Sequence, residues 1–265
     1  MAAATFHYAE REPATELRGW LLNYWGFEVR TNDPTPPPHH VPPDGCTSLA
    51  VVCLPEGAVH VAVSGPWVDP LVVNARPGSR YWGCRCRSDT GGLLFGCDPG
   101  RLVNRVQPAE PLLGALAVRL GQELAAVRDI DAAAAVMNRL LPPHVRTLPA
   151  PDPLVRRVAI RLWGSGGNEQ VASLAGLAGV SPRTLLRRFR AATGLTPKQY
   201  ARIARLWRAA HALLREELPA WARLAAEAGY ADQAHLSNEF SQLTGLTPVA
   251  FGDRVRSTTH DSVRP

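Results

Sequence analysis

SLAGLAGVSPRTLLRRFRAATGLTPKQY (residues 173–200) and RLAAEAGYADQAHLSNEFSQLTGLTPVAF (residues 223–251) are two writings of one pattern. Phe189, Gly194, Leu195, Thr196, Pro197 and Tyr200 recur as Phe240, Gly245, Leu246, Thr247, Pro248 and Phe251 at a constant offset. Each copy has the outline of a helix-turn-helix: a short amphipathic helix, a glycine turn, then a capped second helix that can lie in a major groove. Two such units in one chain can enter two successive groove segments, which points to sequence-specific binding of double-stranded DNA.

In the first copy Val171, Leu174, Ala175 and Ala178 fall at i, i+3, i+4 and i+7, one apolar stripe. Gly179 suits a tight interhelical turn, and Ser181 with Pro182 forms an N-cap and first helical position. Leu185 and Phe189 face inward, so the expected DNA contacts are Ser181, Arg183, Thr184, Arg187, Arg188 and Arg190. Arginine can pair bidentately with guanine edges and also meets phosphates.

In the second copy Trp221, Leu224, Ala225 and Ala228 form the stripe, Gly229 turns, Asp232 caps, and Leu236 and Phe240 face inward. Its expected contacts are Gln233, His235, Ser237 and Asn238, with Ala234 on the same face. Glu239 is expected on or beside that face, where it repels phosphate and weakens the second head. Between the copies, Tyr200, Ile203, Trp207, Ala210 and Leu214 line one side of a long helix that holds the heads apart.

Charge supports this reading. The chain of 265 residues carries a net +6, and from Gln170 to Arg215 there are nine lysines or arginines and no acid. A one-sign stretch of this kind is favoured by counterion release from phosphates. The length allows two domains. A proline-rich stretch, LPPHVRTLPAP (residues 141–151), reads as a linker that cannot continue a helix. Asp152 and Pro153 then start a helix that GSGG (residues 164–167) stops. The expected layout is a sensor or dimerisation domain over 1–140, a DNA-binding domain over 152–256 with units at 171–190 and 221–241, and a flexible tail over 257–265. No apolar run is long enough for a membrane span and the start lacks a secretory pattern, so the chain is expected in the cytosol.

The residues LAGLAGVSPRTLLRRF, GLTPKQYARIARLWRAAHALL and LAAEAGYADQAHLSNEFSQLTGLTP resemble the DNA-binding domain of the AraC/XylS family of bacterial transcription regulators. The resemblance spans residues 153–256. It implies that Arg183, Leu186 and Arg187 in the first head, and Gln233, Ala234, Ser237 and Asn238 in the second, lie nearest the bases. A regulator of this kind needs no catalytic residue and no cofactor; RNA polymerase and a second copy of the chain are its candidate further partners.

The first hundred residues are punctuated by proline and glycine. Short β-branched runs at 48–54, 58–63, 70–73 and 80–87 suggest a small sandwich or barrel. Leu112, Leu113, Leu116, Ala117, Leu120 and Leu124 then recur at helical spacing, and a second helix is expected over 131–140. The fold class is therefore α+β overall, with a β-rich sensor and an all-α C-terminal domain. Residues 42–52 and 81–105 faintly resemble the sensor domains of AraC-type regulators, which implies a small-molecule effector. Trp67, Tyr81, Trp82 and Phe95 are the candidates to line its pocket, against the plainer reading that they are core. Trp20, Tyr24 and Trp25 sit at near-helical spacing and read as core. Cys46, Cys53, Cys84, Cys86 and Cys97 read as free thiols; no metal site is assigned. Thiol or metal sensing through Cys84, Cys86 and Cys97, and a DNA-repair alkyl-transfer protein fused to this module, are the alternatives.

Overall fold

The computed structural model describes residues 6–31, 35–215 and 220–261. Its N-terminal part is built on a seven-stranded sheet of order β8-β5-β4-β7-β2-β1-β9, with a separate two-stranded β3-β6 pair. The strands are β1 (Phe6–Arg11), β2 (Leu21–Val29), β3 (His39–Val41), β4 (Ser48–Cys53), β5 (Val59–Ser64), β6 (Leu71–Val73), β7 (Arg80–Cys86), β8 (Val106–Pro108) and β9 (Thr259–Asp261). Pairing is antiparallel throughout except between β1 and β9. In β4 the period of two is clean: Leu49, Val51 and Cys53 are buried and their neighbours half-buried.

The four strand runs expected at 48–54, 58–63, 70–73 and 80–87 are present as β4, β5, β6 and β7. Trp20, Tyr24 and Trp25 are not helical: Tyr24 and Trp25 lie on β2, with Tyr24 in the main core and Trp25 against the smaller one. All three pack on a core as expected, Trp20 on the one that holds Tyr24, while β2 alternates imperfectly and bulges between Leu21 and Asn23.

Helices α1 (Gly91–Leu94), α2 (Glu110–Leu113), α3 (Ala115–Ala126) and α4 (Ile130–Val145) follow. One face of the sheet meets α3 and α4 around Leu49, Val63, Trp82, Leu120, Leu124 and Met137. On the other face a smaller cluster gathers Phe6, Phe27, Val29 and Ala75, with the His39 ring 4.3 Å from that of Phe27.

The expected linker over 141–151 needs correction. Helix α4 runs through Pro142 and Pro143 and ends at Val145, so only 146–151 connect irregularly. Two prolines remove two amide donors from the last turn, yet Leu141, Pro142 and Val145 are buried and His144 Nε2 lies 2.7 Å from the Leu94 carbonyl oxygen. Burial outweighs the lost helix bonds.

The C-terminal part is helical: α5 (Pro153–Gly164), α6 (Val171–Leu177), α7 (Pro182–Thr193), α8 (Pro197–Arg215), α9 (Trp221–Ala228), α10 (Gln233–Thr244) and α11 (Pro248–Ser257). The expected flexible tail is also corrected in part. Residues Thr259–Asp261 pair with His7–Ala9 of β1, whose open edge offers unpaired backbone groups; residues 262–265 lie outside the described residues.

Candidate nucleic-acid interface

The two units share a spine. Helix α8 sends Tyr200, Ala201 and Ile203 into the core of the first unit, with Leu174, Ala175, Leu185 and Phe189. Further along it sends Leu206, Ala209, Ala210 and Leu213 into the second, with Leu224, Ala225, Leu236 and Phe240. Trp207 packs against both, and its indole N–H donates to the Pro43 carbonyl at 2.8 Å.

Local chemistry repeats as closely as the packing. Ser181 Oγ accepts from the Thr184 amide at 3.2 Å and Asp232 Oδ1 from the His235 amide at 2.7 Å, so both outward helices α7 and α10 are N-capped. Both end at a left-handed glycine, Gly194 (φ +77°) and Gly245 (φ +72°). Just before each, Thr193 and Thr244 donate to the carbonyl four residues back and accept from the amide of Leu195 and Leu246 at 3.1 Å. These buried hydroxyls hold the turn into α8 and the turn into α11.

On α7 the side chains of Ser181, Arg183, Leu186, Arg187 and Arg190 are exposed, and Thr184 is half-buried beside its cap. Arg183, Arg187 and Arg190 form no ion pair among the described residues. Arg188 differs. Its Nη2 and Nε lie 2.6 and 2.8 Å from Asp152, the cap of α5, so this arginine fastens α7 to α5 and is not on the free face. The bond from Arg188 holds the Asp152 carboxyl below the usual carboxylate range.

Other arginines of this region are occupied in the same way. Arg156 pairs with buried Asp89 of the N-terminal part at 2.9 Å, Arg161 with Glu169 at 3.0 Å, and Arg208 donates to the Ser165 carbonyl at 3.0 Å. The basic bias of the sequence thus includes cations that tie helices together and a set on α7 that face solvent, with Arg157, Lys198 and Arg215 exposed elsewhere.

On α10, Gln233, Ala234, His235 and Asn238 are exposed and Ser237 is half-buried. The His235 ring is partly engaged: Nδ1 accepts from the Ala231 amide at 3.3 Å and the ring meets Tyr230 edge-on at 5.3 Å. Glu239 is not on the outward face. It is buried, with Oε1 2.7 Å from Arg202 Nε and Oε2 3.6 Å from Arg205 Nη1. The spacing Leu236, Glu239, Phe240, Leu243 is the i, i+3, i+4, i+7 of a buried stripe, a signal that was present in the sequence. The outward face of α10 is therefore amide-bearing, and position 239 contributes no carboxylate to repel phosphate.

The structure does not bring the four candidate effector residues together. Trp82 and Phe95 are fully buried in the main core, Tyr81 packs on the Phe27 cluster, and Trp67 donates its N–H to Ser64 Oγ at 2.8 Å. A groove of about 600 Å³ instead lies between β5, β8 and α3, lined by Val59, Val61, Val106, Val118, Gly121 and Gln122 among others. Gly121 forms its floor: a Cβ there would stand 2.9 Å from Val61 Cγ2. Cys46, Cys53, Cys84 and Cys86 are buried and Cys97 half-buried. Burial pushes all five thiols up, Cys84 to about 12, which opposes the thiolate that metal binding and oxidant sensing use.

Two capped outward helices on a shared spine define a double helix-turn-helix protein. Residues 174–254 match the family described as "Helix-turn-helix domain", and residues 9–108 match one described as "Domain of unknown function (DUF6597)". The chain is 31% identical to the DNA-binding domain of AdpA, a global transcriptional factor solved in complex with a target DNA, over 40% of this chain and 95% of that one (TM-score 0.35). It is 28% identical to the C-terminal domain of AraT, a response regulator from Geobacillus stearothermophilus, over 39% of this chain and 86% of that one (TM-score 0.36). ToxT from Vibrio cholerae aligns over 95% of this chain and 97% of its own at 9% identity (TM-score 0.44). No curated protein matches. The C-terminal domain is thus an AraC-type helix-turn-helix domain, the DNA-binding module of a transcription regulator.

Proposed function

We propose that this regulator reads its operator with two unlike heads, α7 through Arg183, Arg187 and Arg190, and α10 through Gln233, Ser237 and Asn238. The observation that carries the reading is the cluster of three solvent-facing arginines without an ion pair on α7, while Arg156, Arg188 and Arg202 nearby are held by carboxylates. Arginine forks suit guanine edges and phosphates, and the amides of Gln233 and Asn238 suit adenine. Ser181 is a neutral cap, so the N-terminus of α7 favours a nearby phosphate. The two heads occupy successive major-groove segments on one face, about 34 Å apart.

The N-terminal part then acts as the sensor, with a small-molecule effector in the β5–β8–α3 groove, whose volume is in the range of ligand sites. Effector binding shifts the population of arrangements of the two heads, and with it operator affinity or contact with RNA polymerase, in the cytosol where the genome lies. A homodimer adds a second pair of heads.

Selection of duplexes from a random pool by the purified chain, followed by hydroxyl-radical footprinting, tests the reading. Two protected groove segments one helical turn apart are expected. A chain that enriches no sequence, or protects a single segment, overturns it.

A further inference from the structure

We infer that the N-terminal domain supplies a DNA-backbone contact of its own, Arg101, on the flank of the first head. The inference rests on the DNA-binding reading of α7.

Its basis is the way the two Gly-Leu-Thr-Pro turns dock. After α7, Gly194 presses against the 3-10 turn Pro99–Leu102: a Cβ on Gly194 would stand 2.6 Å from the Pro99 carbonyl oxygen and 3.0 Å from the Gly100 amide nitrogen. The Gly194 amide in turn donates to the Arg190 carbonyl at 2.9 Å. A short chain of contacts, Arg190, Gly194, Gly100, Arg101, therefore joins the last exposed arginine of the reading helix to an arginine of the other domain.

Arg101 has the character of a phosphate contact. Its side chain is 88% exposed, and its one ion-pair partner among the described residues, Asp98, is 3.9 Å away at the limit of an ion pair. Asp98 is itself engaged as the cap of the turn, accepting from the Gly100 amide at 2.8 Å, which offsets its charge. Arg101 thus adds an exposed cation on the turn that touches the end of α7.

The second unit differs. Its equivalent turn, at Gly245, docks against Pro70 and His40. Arg101 lies beside the head that is already cationic, which fits a duplex held more firmly on that side.

The test uses the full chain and a duplex it has selected, titrated by fluorescence anisotropy over a range of KCl concentrations. Loss of one phosphate contact lowers the slope of log affinity against log salt by about 0.9. Arg101→Ala is expected to show that decrement on both the selected and an unrelated duplex, Arg101→Lys to restore the slope, and Arg101→Glu to bind more weakly than Arg101→Ala. Footprint protection is expected to shorten on the first-head side only. Slopes for Arg101→Ala and Arg101→Glu equal to wild type, with Arg187→Ala still impaired, overturn the inference and leave the reading of α7 intact. If the wild-type chain enriches no duplex, or Arg187→Ala binds like wild type, the reading of α7 fails and takes the inference with it.

Discussion

Arg188 and Glu239 hold the same place in the two units, one residue before Phe189 and Phe240, and both are fixed by ion pairs to a neighbouring helix: Arg188 to Asp152 at 2.6 Å, Glu239 to Arg202 at 2.7 Å. The charges are opposite and the role is the same. This position is a shoulder between the buried stripe and the exposed face, where a long polar side chain reaches sideways to the adjoining helix. A lysine at 239 would face Arg202 and Arg205. Glu239→Lys is therefore expected to lower thermal stability and to leave DNA affinity no better than wild type. A stable variant with tighter, more salt-dependent binding would place residue 239 at the DNA.

The arginines of α7 are expected to separate by role. Arg187→Ala should weaken binding by about 1–3 kcal/mol at one base pair of the selected site, as a base contact does. Arg188→Ala should instead lower the melting temperature and leave the sequence preference unchanged. Competition binding against single-base variants of the site, beside thermal melts, distinguishes them. Equal loss on every duplex for Arg187→Ala would reassign that side chain to phosphate.

Asp152 makes part of the stability pH-dependent. Its folded pKa is depressed, first by Arg188, so the stabilisation is present above the ordinary carboxylate value of about 3.9 and is lost as pH falls through the lower folded value. Asp152→Ala also removes the cap on Leu154 and Val155, a cost of about 1 kcal/mol at neutral pH. Urea melts of wild type and Asp152→Asn are expected to converge below about pH 4. A constant gap from neutral pH to pH 3 contradicts the ion pair.

Gly194 and Gly245 share a left-handed backbone but not a neighbourhood. Alanine at either costs about 1 kcal/mol in conformation. At 194 the new Cβ would also meet the Pro99 carbonyl oxygen at 2.6 Å, against 3.4 Å to Pro70 at 245. Gly194→Ala should be the more destabilising in denaturant melts, and equal losses would mean that the Pro99 contact yields freely.

The thiols offer a direct check on redox sensing. With four cysteines buried and all five thiols shifted up, native protein at neutral pH should react slowly with iodoacetamide, at Cys97 if anywhere. Mass spectrometry before and after unfolding reads the sites. Rapid labelling of Cys84 or Cys86 in the native chain would revive the thiol-sensing alternative.

Much of the C-terminal domain was legible because its signals are local. Ser181-Pro182, Asp232 and the paired glycines announce caps and turns that depend on a few neighbouring residues, and the stripes around Leu185 and Leu236 follow helical spacing. What escaped depends on contacts distant in sequence. Pro142 and Pro143 stay helical because the sheet domain buries them, β2 is a strand because β1 and β7 flank it, and Thr259–Asp261 gain order from an edge strand at the opposite end of the chain. Trp82 and Phe95 could be recognised as large apolar residues, but only the packing shows them inside. Arg101 carries no local mark at all; its interest comes from Gly194 being pressed against its turn.

Because α8 donates separate stretches of side chains to the two cores, with Trp207 at their junction, amino-acid exchange on one outward helix need not disturb the seating of the other. A duplicated module of this design can drift toward guanine-rich recognition on one arm and adenine-rich recognition on the other while the span between them stays constant. Divergence of target sequence is thereby uncoupled from divergence of geometry.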